Sequence, residues 1–151
     1  MDRITQGLLA EFTTRFDLGS LDESERFEVF ATYLATRRHY SDAAFDPPDL
    51  IVGEGGDTGI DGIAIIVNNN LITDVDDVAD LAEINGYIEA TFIFVQAERS
   101  ESFDGGTIGT FGAGVRDFFG PGKLARNKYI KECVAIMNEI YNRSGKFRGN
   151  Q

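Results

Sequence analysis

Tryptophan is absent from this 151-residue chain, cysteine and histidine occur once each, and there are only 3 prolines. Each scarcity removes a class of chemistry. The lone Cys133 cannot form an internal disulfide, so nothing points to an oxidising compartment. With His39 as the only histidine, a zinc site of the usual kind is not expected. A catalytic pairing of Cys133 with His39 is open in principle, but Cys133 falls on the apolar face of the last predicted helix and reads as core. No apolar run approaches the roughly 20 residues of a membrane span. The opening MDRITQGLLAEF lacks the basic-then-apolar pattern of a signal peptide. A cytoplasmic protein without membrane contact is the expectation. The Gly-rich stretch 53–62 has no following Gly-Lys-Ser/Thr, which rejects a P-loop. Asp74, Asp76 and Asp77 begin like a calcium loop, but Ala79 and Asn85 stand where a glycine and a bidentate Glu are needed.

What is present is a length that suits one domain over residues 1–151, with one sizeable hydrophobic core. Residues 2–16 have helical spacing, with Ile4, Leu8, Phe12 and Phe16 on one face. Residues 22–40 form a clearer helix, with Phe27, Phe30, Ala31 and Leu34 as its stripe and Asp22 with Glu25 as a capping box. Pro47 and Pro48 make 41–58 a loop. Residues 59–67 read as a turn running into an apolar strand, and Asn68-Asn69-Asn70 as a tight hairpin turn. A short acidic helix or loop (76–85) precedes a second buried strand, 91–98, and then a helix from Gly105 to Phe119. Gly120-Pro121-Gly122 breaks the chain before a final helix, 124–141, with Ile130, Val134, Met137 and Tyr141 at core spacing. The pattern predicts an α/β fold, a small central mixed sheet flanked by helices.

Net charge is −11, unevenly spread. Residues 1–115 carry 6 Lys/Arg against 22 Asp/Glu, while 116–151 carry 8 against 3. A basic strip with Lys123, Arg126, Lys128 and Lys131 either approaches phosphates or is a solvated helix face, and the second reading is favoured.

The chemistry concentrates where the two long strands meet. Asp61 stands at the entrance of the first, and Gln96-Ala97-Glu98 ends the second. Phe92, Phe94, Gln96 and Glu98 would share one strand face. Neighbouring strands lie about 4.8 Å apart, so these polar groups can converge and hold a divalent metal. A turn acid and a strand-end amide bonded to backbone are the plainer alternatives.

The layout resembles the PD-(D/E)xK nuclease superfamily in its (E/Q)-x-K variant. FEVFATYL (27–34), GDTGIDGIAI (56–65), FIFVQAERSESFDGG (92–106) and IGTFGAGVRDFFG (108–120) resemble the N-terminal domain of the abortive-infection phage-resistance (AIPR) proteins of bacteria. The resemblance implies a restriction-endonuclease-like fold, a longer parent protein whose remaining domains are partners, and cleavage of DNA or RNA. It implies Asp61, Gln96, Glu98 and Glu28 as catalytic positions, with Glu28 preferred over Glu25 as the helix carboxylate. Mg²⁺ (or Mn²⁺) would be held by Asp61, Glu28 and the Ala97 carbonyl, and nucleic acid by Arg99, Lys123 and Arg126. The family's lysine is replaced by Glu98. Glu98 is then a natural variant, an inactivating substitution, or the mark of a degenerate domain that only binds nucleic acid or a protein. A homodimer built on exposed aromatics such as Phe118 and Phe119 is a third class.

Overall fold

The computed structural model describes residues 1–53, 58–99 and 104–148. Parts of the Gly-rich loop (54–57), of the stretch after Arg99 (100–103) and of the tail (149–151) lie outside the described residues. Among these residues the order is α1 (Arg3–Arg15), α2 (Glu23–Arg37), β1 (Gly62–Val67), β2 (Asn70–Leu71), α3 (Val75–Asn85), β3 (Ala90–Val95), α4 (Gly105–Phe119) and α5 (Lys128–Asn142). A 3-10 turn, Pro47–Leu50, interrupts the loop before β1.

The sheet runs β2-β1-β3, and every strand pair is antiparallel. This corrects the expected mixed sheet. The β1–β2 hairpin reverses the chain before α3 carries it across, so β3 arrives antiparallel to β1. Among the described residues, parallel pairing is confined to the isolated bridge between Ile88 and Phe147. The hairpin turns through Asn68 and Asn69 at φ 49° and 64°, the two positive values a type I′ turn requires. The Asn68 side chain then binds the next connection: it donates to the Tyr87 carbonyl (2.9 Å) and accepts from the Glu89 N–H (2.8 Å).

Alternation along the strands separates two packing faces. Ile63, Ile65 and Val67, with Phe92 and Phe94, face α3, α4 and α5, meeting Val78, Phe118, Ile130 and Ile140. Ala64, Ile66, Ile93 and Val95 face the other way, onto Leu50 and onto Ala31 and Ala35 of α2. Helix α1 lies outside α2 through Leu9, Phe12, Val29 and Phe30. Its buried stripe therefore runs through Leu9 and Phe12; Ile4 and Leu8 are exposed. Leu34 and Tyr141 are likewise exposed, since the buried faces of α2 and α5 are centred on Val29, Phe30, Thr32 and Thr36, and on Ile130, Cys133, Ile136, Met137 and Ile140.

Helix boundaries follow from their caps. Asp22 and Glu25 make the reciprocal capping box at α2. Asn127, not Leu124, opens α5, because residues 124–126 fold back on α4. The strand predicted to reach Glu98 ends at Val95, so Gln96 and Glu98 do not continue its alternation.

Two close approaches lock the turn before β1. Gly62 faces Thr32 of α2 so tightly that a Cβ there would overlap the Thr32 hydroxyl. Gly114 of α4 seats against Thr58, where a Cβ would run into the Thr58 carbonyl. Gly112, two residues earlier, has nothing within 4 Å of a would-be Cβ. Gly114→Ala is therefore expected to cost about 1–3 kcal/mol through overpacking. Gly112→Ala should be neutral or stabilising by up to about 1 kcal/mol, since it only removes a helix-interior glycine. Urea unfolding of the two variants, compared with the parent chain, checks the contrast.

Candidate functional site

The locked turn delivers Asp61 to the junction of three segments. Its N–H donates to the Val95 carbonyl (2.8 Å), and its carbonyl accepts from the Val52 N–H (2.9 Å). Its carboxylate accepts from the Ala97 N–H (2.7 Å). The acid at the start of β1 and the residues just past β3 are thus joined directly, as the strand register requires.

Glu28 lies one helical turn before Thr32, so the Thr32–Gly62 contact that brings α2 onto β1 also brings Glu28 towards Asp61. Both carboxylates line an open cleft of about 470 Å³ that Asp22, Glu25, Pro48 and Ile51 also border. Burial pushes the Glu28 carboxyl above its ordinary range, and the charges of Asp61, Glu25 and Asp22 add to the effect. Burial also raises Asp61; the Ala97 N–H opposes that rise, and the charge of Glu98 reinforces it. Glu28, Asp61 and Glu98 are therefore within electrostatic reach along one chain of neighbours. Among the described residues, no set of three or more Asp, Glu, Cys or His side chains is close enough to hold a metal ion. The cleft itself offers the two carboxylates of Glu28 and Asp61, oxygen ligands of the kind that suit Mg²⁺.

The remaining expected site residues are scattered. Gln96 lines a different groove, beside Phe94, Ile108 and Phe111 at the outer edge of β3. Arg99 reaches back to α2 and pairs with Glu23 (3.0 Å), an exposed pair worth little in stability. Arg126 is spent on structure. Its guanidinium donates to the Asp117 carbonyl (2.7 Å) at the end of α4, while the Asp117 carboxylate accepts the Lys123 N–H (2.7 Å). Arg143 pairs with Glu139 (2.7 Å), and Arg148 lies over the Tyr87 ring. Of the basic residues near the C-terminus, Arg126, Arg143 and Arg148 are thus engaged by their own neighbours. Cys133 is buried, with its thiol pushed up to about 12 by burial. Phe118 is buried in the core rather than displayed; Phe119 is exposed.

Sequence reasoning missed Thr32 and Thr58, the partners of the close approaches. Their signal was the glycine at Gly62 and at Gly114, each of which leaves room for something to enter.

Because Glu28 and Asp61 bind protons more tightly when folded, their contribution to stability is present in acid. It is lost as pH rises past their raised values. Glu28→Gln should then raise Tm at neutral pH by roughly 1–3 °C, a modest gain for a partly solvated group. The gain should fade below about pH 4, where the carboxyl is protonated in both states. Thermal unfolding followed by circular dichroism across that range checks it.

Comparison with protein-family models, with curated proteins and with solved structures finds no match.

Proposed function

We propose that this chain is a metal-dependent phosphodiesterase domain of the PD-(D/E)xK type, restriction-endonuclease-like in fold, from an AIPR-like bacterial phage-defence protein. The observation that carries the reading is the junction of Asp61 with the segment after β3, through the Asp61–Ala97 hydrogen bond, with Glu28 of α2 lining the same cleft. Three separate segments of sequence supply those groups, in the order the resemblance implies.

Asp61 and Glu28 would hold the Mg²⁺ or Mn²⁺, with the Ala97 carbonyl as a third oxygen. The ion when bound would polarise the scissile phosphate and lower the pKa of a coordinated water. Asp61 is preorganised for such a role: its backbone is fixed on both sides, and the Ala97 N–H orients its carboxylate. Burial raises both carboxyls first, and like charge adds to it, from Asp61, Glu25 and Asp22 at Glu28 and from Glu98 at Asp61; a divalent cation would offset those like charges. Nucleic acid, DNA or RNA, would be met by Arg99, which is paired with Glu23 of α2. Lys123 is exposed and able to add a phosphate contact.

A second reading, a non-catalytic module that binds nucleic acid or protein, is favoured by two observations. Glu98 brings negative charge where the family carries lysine, and Gln96 lines the β3 edge groove rather than the acidic cleft.

Mn²⁺ titration by calorimetry separates the two. The enzyme reading expects binding that disappears in Asp61→Ala and weakens about ten-fold or more in Glu28→Gln. It also expects Glu98→Lys to increase metal-dependent cleavage of a labelled single- or double-stranded substrate. A parent chain that binds no metal, together with a folded Glu98→Lys variant that cuts nothing, supports the binding module.

A further inference from the structure

Strand β1 has β3 beside it along its whole length, but β2 covers only Ile66 and Val67 on the other side, with one further bond from the Ile72 N–H to the Ile65 carbonyl (2.8 Å). Towards Asp61 the next partner is a side chain. The Tyr129 hydroxyl, in the first turn of α5, donates to the Ile63 carbonyl (2.7 Å). Beyond it the segment around Val52 takes over, through the Ile51–Gly62 bridge and the Val52 N–H on the Asp61 carbonyl (2.9 Å).

Val52 is itself buried, so its own carbonyl needs a donor. Asn127 supplies it. Its Nδ2 donates to the Val52 carbonyl, while its Oδ1 accepts the Ile130 N–H (2.9 Å) as the N-cap of α5. The two bonds fix each other's direction, because turning the amide over would set Oδ1 against a carbonyl oxygen and Nδ2 against an N–H. Serine and aspartate cap a helix as well as asparagine does. Serine is too short to make the second bond, and an ionised aspartate has no hydrogen to give. The choice of asparagine is therefore explained by the bond to Val52 and not by the cap. From that bond a chain of contacts runs to the site: Val52 donates to the Asp61 carbonyl, and the Asp61 carboxylate accepts the Ala97 N–H (2.7 Å).

We propose that Asn127 is a positioning residue for Asp61: from the N-cap of α5 it holds the Val52 segment, and so fixes the backbone from which the Asp61 carboxylate reaches the residues after β3. Asn127 acts only through Val52. It makes α5, which lends no side chain to the acidic cleft, part of the site. Tyr129, one turn position away, braces β1 from the same helix end. The consequence for metal binding rests on the reading of Asp61 as a metal ligand; the consequence for the Asp61 backbone does not.

Asn127→Ser keeps the cap and loses the bond to Val52. Amide hydrogen exchange on the full chain should show the Val52 and Ala97 N–H groups exchanging about five-fold faster or more, while the Ile130 N–H, the β1–β3 ladder and the circular dichroism are unchanged. Asn127→Asp should give the same local pattern, and serves if the serine variant is globally unstable. In Mn²⁺ calorimetry Asn127→Ser, which adds no charge, should weaken binding roughly ten-fold. Val52 and Ala97 amides that exchange as in the parent chain in both variants overturn the proposal, since Asn127 is then a cap alone. So does acceleration spread evenly over all slow amides in both, which marks a general loss of stability. A parent chain that binds no Mn²⁺ ends the metal reading of Asp61 instead, and the exchange pattern still decides the role of Asn127.

Discussion

The turn that carries Asp61 exists in its observed place because two helices approach it at glycine-to-threonine distance. Helix α2 closes on Gly62 through Thr32, and α4 closes on Thr58 through Gly114. Each contact needs a missing side chain on one partner and a small, buried one on the other. Together they set the height of both helices above the sheet. Glu28 owes its position to the first contact. The second sets the path of the chain from Thr58 into β1, and with it the hydrogen bonds from Asp61 to Val95 and Ala97.

Around that constraint the packing is conventional. Strand β1 is buried along its whole length, sending Ile63, Ile65 and Val67 to one layer and Ala64 and Ile66 to the other. The acidic surplus of residues 1–115 is partly concentrated at one end of α2. There Asp22 and Glu25 serve first as a cap and also border the cleft with Glu28 and Asp61. Capping satisfies the helix N-terminus at the expense of a cluster of like charge.

Much of this was readable beforehand. The capping box at Asp22, the strand entered at Asp61, the Asn68-Asn69 hairpin and the core role of Cys133 all rest on local rules of cap, turn and periodicity, and the structure agrees with them. The failures come from tertiary context. Helical spacing put Ile4 and Leu8 in the core because it cannot say which of two adjacent apolar stripes meets α2. Period-2 alternation carried the second strand to Glu98, although β1 has no residue left to pair there once the chain turns at Asp61. Arg126 looked like a surface cation because nothing in a linear pattern reveals that the end of α4 requires a donor. Of the proposed site, the sequence contained the meeting of Asp61 with the 96–98 segment. It did not contain the departure of Gln96 to the other groove, since that depends on where the ladder ends.

Helix α4 contains five glycines in fifteen residues, an unfavourable composition for a free-standing helix. It persists because Phe118, Gly114 and Phe111 are held against the sheet and the Thr58 turn. Native-state fluctuations should accordingly open α4 well before they unfold β1. The Asp61 turn loses one of its two walls in each such opening, while the other carboxylate remains on α2. The cleft is therefore a composite of a durable half and a transient half, and its lifetime as a complete unit is set by the weaker helix.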